Sequence, residues 1–517
     1  MEIRRIRGSN HTRLLRFLGN VRCIILCLVL TAVVTFPAAA QIQQAWVARY
    51  NNGITNGTNQ AVKMALDSNG NIYVTGFSQN TNGNLGYVTI KYAPNGAQLW
   101  VARFDSTNYP TATPAAMAID VSNNAVITGS ALTIKYDSNG NQLWTAPNAG
   151  STVAVDTNAS VYIGGFQNFE TVKLNSQGSN VWTRTYSDEG PTASQTVLVD
   201  NQNNVYVSGL DTYYYVPPGA YGDHYETLMT IKYDSNGDEL WKSIGPEGPV
   251  VSVQVTASGL DSADNLYLAA SFNSYFYIFK CTNSDGGLAG INLPDPNSTV
   301  PSISGLALDS TGDLLLTGQW GYVGPDYEWA TGIYGTFKGT SSGAWIWTNL
   351  YPSVAGDYPE SAALALALDS ANNSYVTGYS AAVTGTNNIV TIKYGPNGNQ
   401  LWLQSYNGLN AGNDAGNAIV VDKNGNVYVT GYETLPGGGT GIVTIKYIPV
   451  SLQHRADGTV LLEVQGSPGE SFDIQASGDL LNWTDLGTML ADTNGLMQFD
   501  DTNAPSFPAR FYYTNPQ

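Results

Sequence analysis

The sequence predicts an all-β fold, an eight-bladed β-propeller followed by a small β-sandwich-like domain. Three observations lead to this prediction. A short apolar run, an aspartate, a turn and a Tyr-Val-Thr-Gly-like segment recur eight times. A lysine followed by glycine five residues later and tryptophan nine residues later recurs six times. Helical periodicity is missing beyond the N-terminal leader. Repeats of this length with two hairpins each are typical of propeller blades.

The composition bounds the possible functions. Hydrophobic residues make up 43% of the 517 residues, enough to fill a large core, and the 55 glycines follow no three-residue period, which excludes collagen. The net charge is −18. A chain this acidic offers no basic patch for a phosphate backbone, so nucleic acid is excluded as a partner.

Residues 1–40 predict a secretory signal peptide. Six arginines precede an apolar run of about 14 residues, and Ala38-Ala39-Ala40 ends the segment. A retained anchor is the alternative, but the run is short for a membrane span. We therefore expect a bacterial protein that is secreted or held at the cell surface, with no stable membrane span after cleavage. The mature chain would keep one cysteine, Cys281, and so no internal disulfide.

The first repeated block has one fixed spacing. A glycine, or once an alanine, stands nine residues after each aspartate, although the repeats differ in length. Asn and Gly in the turns tolerate positive φ, and β-branched and aromatic residues flank them, so the block predicts a hairpin. The repeated aspartates, predicted to be structural, are Asp67, Asp120, Asp156, Asp200, Asp261, Asp309, Asp369 and Asp422.

The second repeated block also predicts a hairpin. Its tryptophan is expected to be structural, because an indole four residues after a glycine can lie over the glycine backbone of a neighbouring blade, where no Cβ obstructs it. In each repeat the two blocks together predict a four-stranded meander, and residues 41–448 contain eight repeats. A parallel β-helix is the alternative, but it would need shorter and more uniform coils. These tryptophans are Trp100, Trp144, Trp182, Trp241, Trp347 and Trp402.

The two ends of the repeat region predict how the ring closes. Residues 44–50 match the fourth-strand sequence at 98–104, yet no hairpin precedes them. The eighth repeat stops after its third strand, residues 443–447. We expect the N-terminal strand to supply the outer strand of the eighth blade, which leaves no unpaired inner edge.

These repeats resemble the SBBP bacterial β-propeller repeat, in segments such as residues 67–76 and 88–91. The resemblance implies an exported propeller, and it implies no catalytic residue. The Gly-x-x-x-Trp spacing is also similar to the tryptophan-docking repeat of quinoprotein dehydrogenases, which are eight-bladed. That family pattern includes adjacent cysteines and calcium ligands in the funnel, whereas Cys281 stands alone. A quinone-dependent dehydrogenase is therefore the least favoured function.

Two repeated residue types allow more than one interpretation. The lysine of each second hairpin fits a solvated strand face, or a repeated contact with an aspartate of another hairpin. The Asp-Ser-Asn-Gly-Asn segments fit turn chemistry or a calcium loop, but glycine is at position four and no Glu stands at position twelve, unlike an EF-hand. No metal site and no cofactor are predicted.

Ligand contacts are predicted on one face of the ring. In a meander the two tight turns of each blade lie on one face, and the second-to-third-strand loops and the links between blades lie on the other, where function is expected. Two such loops are rich in aromatic residues, which either pack on one another or hold a ligand. The candidate ligand-binding residues are Tyr213, Tyr214, Tyr215, Tyr221, His224, Tyr225, Trp320, Tyr322, Tyr327 and Trp329.

Residues 449–517 leave the repeat and predict a β-sandwich-like module. Short apolar strands alternate with Gly, Asp and Pro turns. The segments 472–477 and 481–483 are similar to a C-terminal module of exported proteins from environmental bacteria, which implies an accessory, sorting or adhesive role.

The favoured function is an exported, non-enzymatic binding or scaffold protein, expected to be a monomer, whose partner is an unidentified glycan, envelope component or protein. The alternative is a carbohydrate-active hydrolase or lyase that uses loop carboxylates. Its candidates are Asp223, Glu226, Asp326 and Glu328, but glycosidases need two acids at a defined separation, which a sequence does not show.

Overall fold

The structure is a computed structural model that describes residues 41–186, 192–215, 223–245, 252–272, 275–291, 301–320, 332–351, 361–382, 385–479 and 481–516. In these ranges the chain is all-β, with one short 3-10 turn at Ala504–Ser506 and no α-helix. The predicted leader, residues 1–40, lies outside the described residues.

The strands form successive antiparallel sheets in up-and-down order. Strand β1 comes first (Gln41–Tyr50). Sheet 1 contains β2 (Asn59–Leu66), β3 (Ile72–Gln79), β4 (Leu85–Tyr92) and β5 (Gln98–Phe104); sheet 2 contains β6 (Pro114–Ile119), β7 (Ala125–Gly129), β8 (Thr133–Tyr136) and β9 (Gln142–Ala146); sheet 3 contains β10 (Thr152–Val155), β11 (Val161–Gly164), β12 (Thr171–Leu174) and β13 (Asn180–Arg184); sheet 4 contains β14 (Ala193–Val199), β15 (Val205–Tyr215), β16 (Asp223–Tyr233) and β17 (Glu239–Ile244).

The remaining sheets of the repeat region follow the same order. Sheet 8 differs, because three consecutive strands are joined there by β1. Sheet 5 contains β18 (Val253–Leu260), β19 (Leu266–Phe272), β20 (Tyr275–Cys281) and β21 (Leu288–Ile291); sheet 6 contains β22 (Pro301–Leu308), β23 (Leu314–Trp320), β24 (Ile333–Gly339) and β25 (Trp345–Tyr351); sheet 7 contains β26 (Ser361–Leu368), β27 (Ser374–Ala381), β28 (Asn387–Tyr394) and β29 (Gln400–Tyr406); sheet 8 contains β30 (Ala415–Val421), β31 (Val427–Thr434), β32 (Thr440–His454) and β1.

Apolar clusters join each sheet to the next in chain order. Seven clusters lie between consecutive sheets, and another places Ala61, Ile72 and Val88 of sheet 1 against Tyr428 and Ile442 of sheet 8. Four-stranded meanders packed face to face in this way are the architecture of a β-propeller, as the sequence predicts.

Strand β1 pairs antiparallel with β32. Gln44 lies opposite Tyr447, and Tyr50 lies opposite Ile442. One bulge, at Ala45, interrupts this register. The bulge stands one residue before Trp46, and the bulge in β5 likewise stands one residue before Trp100.

The first turn of every sheet is organised by its aspartate. In sheet 1 the Oδ1 atom of Asp67 accepts hydrogen bonds from the backbone N–H groups of Asn69 and Asn71, at 2.9 Å each. The same two bonds occur in all eight sheets. The carboxylate therefore replaces water as the acceptor for two turn donors, which accounts for the repeated aspartate as turn chemistry.

The fixed spacing from aspartate to glycine follows from a close approach of two strands. A Cβ on Gly76 would lie 2.0 Å from the carbonyl oxygen of Gln60 in the first strand. That contact is far inside the van der Waals distance, so only glycine fits beside the bulge in β2. The glycines at the same position of sheets 2, 4, 6, 7 and 8 meet a first-strand carbonyl in the same way.

The repeated tryptophans tie neighbouring sheets together. The indole of Trp100 in sheet 1 lies over Gly140 in sheet 2, and its Nε1–H donates to the carbonyl of Ser138 at 3.1 Å. Burial of an indole removes about 150–250 Å² from water. The same docking joins Trp46 to Gly96, Trp144 to Gly178, Trp182 to Gly237, Trp241 to Gly286 and Trp347 to Gly398. Trp402 keeps the contact with a third-strand tyrosine, Tyr447, that other repeated tryptophans also make, but sheet 8 has no second tight turn to supply a glycine.

Most of the repeated lysines are buried, and Lys280 and Lys393 are partly buried, so the hypothesis of a solvated face is wrong and the hypothesis of a repeated ion pair is confirmed. The Lys135 ammonium lies 2.7 Å from the Asp120 carboxylate, with side chains 1% and 0% exposed. Lysine and aspartate come from the two hairpins of one sheet. The other pairs are Lys91–Asp67, Lys173–Asp156, Lys232–Asp200, Lys280–Asp261, Lys338–Asp309 and Lys393–Asp369.

The pair in sheet 2 changes the pKa of its acid. Burial alone would raise the pKa of the Asp120 carboxyl, but hydrogen bonds from Lys135 and Asn124 outweigh it and lower that pKa. Some lysines also bridge sheets. Lys91 donates to the carbonyl of Ser138, the acceptor of the Trp100 indole. One turn carbonyl thus collects both donors from the preceding sheet.

Residues beyond the repeat pack directly onto sheet 8. Strand β32 runs through the boundary predicted between residues 448 and 449 and continues the sheet into β33 and β36. A second sheet, in the order β35-β34-β37, faces it across a core that includes Val450, Leu462, Phe472 and Met497. The strands are β33 (Val460–Gln465), β34 (Ser471–Ser477), β35 (Trp483–Leu490), β36 (Leu496–Asp501) and β37 (Phe511–Pro516).

The substitution Gly140→Ala should destabilise the protein more than Gly312→Ala. Both glycines have positive φ, +88° and +81°, so both variants carry the strain of a left-handed alanine, about 1–2 kcal/mol. Only at Gly140 would the new Cβ lie 2.7 Å from the Trp100 ring; nothing lies within 4 Å at Gly312. Urea unfolding followed by tryptophan fluorescence should show an additional loss of about 1–3 kcal/mol for Gly140→Ala. Equal losses would contradict the docking.

Removal of one buried charge should cost far more than removal of an exposed one. We expect Lys135→Met to lower the free energy of unfolding by about 3–5 kcal/mol, because Asp120 would stay buried without its cation. The matched control is Arg455→Met, whose pair with Asp500 has the same 2.7 Å separation but is 44% and 46% exposed. We expect a change of about 0–1 kcal/mol there. Similar values for both variants in urea unfolding would refute the buried pair as a stabilising feature.

Candidate functional site

Sheet 4 carries a hairpin that extends beyond those of the other sheets. Strands β15 and β16 are 11 residues long, and their pairing continues from Val205–Tyr233 to Tyr215–Asp223. The Tyr and Thr residues near its end favour extended backbone. We name residues 211–215 and 223–227 the sheet-4 hairpin tip. The tip lies at the predicted ligand face, since it joins the second and third strands.

The tyrosines of the hairpin tip divide between its two sides. Tyr213 and Tyr225 are directly paired across the ladder, half-buried, with ring centroids 6.3 Å apart. Tyr214 points to the other side and is 48% exposed. The predicted packing of rings on one another therefore holds for Tyr213 and Tyr225, whereas Tyr214 is exposed on the other side of the hairpin.

Several predicted site residues cannot be placed. Tyr215 and His224 lie on the paired strands, but their side chains are outside the described part of the structure, as is that of Asp223. The residues that lie wholly outside the described ranges are Tyr221, Tyr322, Asp326, Tyr327, Glu328 and Trp329.

Trp320 is placed differently from the predicted ligand contact. It ends β23 and is 6% exposed, and its ring centroid lies 4.1 Å from that of Phe337 in an apolar cluster. A buried ring offers no free face to a ligand. Trp320 packs in the core because it follows Gly318 by two residues, and its side chain therefore lies on the same side of the strand as the core residues.

Glu226, a candidate catalytic carboxylate, has a structural partner. Its Oε2 atom accepts a hydrogen bond of 2.6 Å from the backbone N–H of Val253 in sheet 5. The bond fastens the sheet-4 hairpin tip to the neighbouring sheet. This hydrogen bond gives Glu226 a structural role that requires no catalytic function.

A polar cluster that the sequence analysis did not find lies on the same face, between sheets 7 and 8. The Arg49 Nε donates to Glu433 Oε1 at 2.6 Å, and its Nη2 donates to the Tyr406 hydroxyl at 2.6 Å. The Tyr406 hydroxyl donates to Glu433 Oε2 at 2.8 Å. Because Arg49 is on β1, this cluster fastens the N-terminal strand to both sheets. The predicted pairing of β1 was the one sequence signal that could have suggested it.

A second buried carboxylate, Asp414, belongs to this cluster. It accepts hydrogen bonds from the backbone N–H groups of Gly408 and Thr434, at 2.6 and 2.9 Å. A Cβ on Gly408 would lie 2.9 Å from both Asp414 Oδ2 and Glu433 Oε2. The two carboxylates thus converge on one glycine. Burial, together with the charge of Glu433, raises the pKa of Asp414.

Convergent acids with a raised pKa can mark catalytic sites, but these two are closed to substrate. Asp414 is 1% exposed and Glu433 is 0% exposed. Each accepts hydrogen bonds from groups of the chain itself. Burial also raises the pKa of the Tyr406 hydroxyl, which keeps it protonated as a donor to Glu433. The arrangement holds backbone and charge in place instead of exposing an acid and a base.

The opposite face carries a cavity of about 450 Å³. The first turns of sheets 1 and 8 line it at Asp67–Gly70 and Asp422–Asn424, and the C-terminal module closes it with Ser467, Pro468 and Asn494. Its carboxylates serve their own turns, Asp67 being paired with Lys91 as well. The face that carries the tight turns therefore has a cavity where sheets 1 and 8 meet the C-terminal module.

The described ranges contain no group of three or more His, Cys, Asp or Glu side chains able to hold a metal ion. Within the same ranges no helix has the length and apolar character needed to cross a membrane. Cys281 is a buried free thiol, and burial raises its pKa to about 12, so it is protonated at neutral pH.

No family model matches the chain, and no curated protein is similar to it in sequence. Solved structures give distant similarities. A catalytically inactive virginiamycin B lyase from Staphylococcus aureus with quinupristin is 11% identical, covering 78% of this chain and 99% of its own, with a TM-score of 0.37. YCF48, in a structure bound to D1 peptide, is 10% identical, covering 80% of this chain and 97% of its own, with a TM-score of 0.38. A protein provisionally assigned as a gluconolactonase is 11% identical, covering 81% of this chain and 96% of its own, with a TM-score of 0.30. At these TM-scores the similarities carry no information about activity or ligand.

The Arg49 cluster predicts a measurable dependence of stability on the N-terminal strand. We expect Arg49→Met to lower the free energy of unfolding by about 1–3 kcal/mol, since Glu433 would remain buried without its guanidinium. The double variant Arg49→Met with Glu433→Gln should recover part of that loss, because the second change removes the unpaired charge. Thermal and urea unfolding measure both. A double variant no more stable than Arg49→Met would show that the pair is not the cause.

Proposed function

We propose that the eight sheets form a closed eight-bladed ring with β1 as the outer strand of the eighth blade. The apolar cluster between sheets 8 and 1 supports closure, as does the pairing of β1 with β32. The docking of Trp46 supports it independently. Its indole lies over Gly96 of sheet 1 and donates to the carbonyl of Pro94 at 3.0 Å, as outer-strand tryptophans do at other sheet junctions.

We propose that this ring is an exported, non-enzymatic binding protein. The leader-like residues 1–40 support export, and the resemblance to SBBP repeats agrees with it. The ring would act as a rigid scaffold whose second-to-third-strand loops and inter-sheet links contact a partner. The observation that carries the proposal is the sheet-4 hairpin tip, which extends from the ring with Tyr214 48% exposed.

The partner that best suits this face is an uncharged glycan. An exposed phenol ring stacks on the apolar C–H face of a sugar and offers a hydroxyl for hydrogen bonding. The net charge of −18 disfavours polyanions. A protein partner remains the second candidate, because exposed tyrosines also serve as interface anchors.

The test is binding of the purified chain, residues 41–517, to immobilised glycans on an array and in pull-down experiments. We expect the wild type to be retained by at least one neutral glycan, and Tyr214→Ala to lose about tenfold in affinity, equivalent to 1.4 kcal/mol. The matched control is Leu143→Ala, which removes an apolar side chain of similar exposure, 49%, beside the second tight turn of sheet 2 on the opposite face.

Three results would overturn parts of this proposal. Equal effects of Tyr214→Ala and Leu143→Ala would remove the sheet-4 hairpin tip from the binding site. No retention on any glycan would reject the glycan partner. Release of new reducing ends or unsaturated products from a bound polysaccharide would show a hydrolase or lyase instead of a binding protein.

A further inference from the structure

The outer face of the second sheet in the C-terminal module has an unusual surface. In β34 the side chains of Phe472, Ile474 and Ala476 point inward and are buried, whereas those of Asp473 and Gln475 point outward. Residues paired directly across strands share a face. The strand register therefore identifies every neighbour on the outer face.

Three large aromatic residues lie on this outer face. Trp483 of β35 and Phe511 of β37 both stand opposite Ser477, and Tyr513 of β37 stands opposite Gln475. They are 39%, 40% and 49% exposed. The rings of Trp483 and Tyr513 meet at a centroid distance of 6.0 Å with an interplanar angle of 64°. We name Trp483, Phe511 and Tyr513, with Gln475 and Asp485 between them, the module platform.

Polar groups are interleaved with these rings. Asp485 is opposite Gln475 in the row that contains Tyr513. Asp473 lies in the next row and accepts a hydrogen bond of 2.7 Å from the hydroxyl of Thr488. Acceptors therefore stand within reach of any molecule that covers the aromatic rings. A purely hydrophobic partner would remove these charged carboxylates from water, at a large cost in free energy.

The charge of the platform further limits what can cover it. The outer-face side chains described here include two carboxylates, Asp473 and Asp485, and no cation. An anionic partner such as a nucleic acid, an anionic lipid surface or an acidic polysaccharide would be repelled. A partner rich in hydroxyl donors, with flat apolar faces and no negative charge, complements both the rings and the acceptors.

We propose that the module platform binds a neutral polysaccharide, with pyranose rings stacked on Trp483 and Tyr513 and their hydroxyls hydrogen-bonded to Gln475 and Asp485. The platform is separate from the sheet-4 hairpin tip and goes beyond the function proposed for the ring. It gives the chain a second glycan contact. Two contacts on one chain raise the overall affinity for a polymer when both can be engaged together.

The experiment uses the full mature chain, residues 41–517, with four neutral probes and one anionic probe. Insoluble cellulose and chitin and soluble xylan and mannan are the neutral polysaccharides; polygalacturonate is the anionic comparison. Pull-down and affinity electrophoresis give the retention. We expect binding to at least one neutral probe and none to polygalacturonate. Trp483→Ala should weaken that binding about tenfold, and Trp483→Phe should keep most of it, because a flat ring remains.

Matched variants separate this site from the ring. Leu143→Ala removes a similarly exposed apolar side chain from sheet 2, beside a tight turn, and should change nothing. If Tyr214→Ala weakens binding and Trp483→Ala does not, the platform proposal fails while the proposed function of the ring stands. The reverse result supports the platform and removes the hairpin tip. An unchanged thermal unfolding midpoint in Trp483→Ala shows that folding is intact.

Two further outcomes would overturn the platform proposal. One is the absence of retention on all four neutral probes. The other is self-association: if sedimentation velocity shows a dimer that Trp483→Ala converts to a monomer, the occupant is a second copy of this chain. Asp485→Asn should weaken neutral-glycan binding several-fold, and an unchanged affinity would remove the carboxylate from the site.

Discussion

The docking of a tryptophan over the glycine turn of the next sheet is the interaction on which the ring depends. Each indole contributes its apolar face to the glycine backbone and its N–H to a turn carbonyl, as Trp100 does with Gly140 and Ser138. The contact needs a residue without Cβ on one side and a large flat ring on the other. Because it joins neighbouring sheets, repetition fixes the angle between them. Loops of very different length can then be attached without disturbing the scaffold.

An ion pair joins the two hairpins within a sheet, and it is buried in most sheets. The lysine of the second hairpin reaches the aspartate of the first, so the two hairpins of one sheet are locked together by charge as well as by strand pairing. Sheet 8 departs from this scheme in an informative way. There the Lys446 ammonium binds Glu470 of the C-terminal module at 2.6 Å, and also the carbonyl of Pro94 in sheet 1. One buried lysine thus connects the last sheet, the first sheet and the module.

This division between scaffold and surface bears on function. The acids that come close together, Asp414 and Glu433, are buried and bonded to the chain, so they stabilise the junction of β1 with sheets 7 and 8. The exposed aromatic rings lie elsewhere, at Tyr214 on the sheet-4 hairpin tip and on the module platform. These exposed rings are the basis of the two binding sites proposed above.

Local chemistry explains what the sequence by itself determined. Asp67 accepts hydrogen bonds from its own turn, and Gly96 supplies the positive φ of another tight turn. Because both roles are local, turns, hairpins, the four-stranded unit and the all-β fold follow from spacing alone. Tertiary structure decided which side chains of distant segments become buried or paired. The burial of Lys135, the core position of Trp320 and the contact of Arg49 with Glu433, 384 residues away, depend on which surfaces meet. A sequence specifies local geometry directly, but burial and ion pairing arise only when the sheets pack and exclude water.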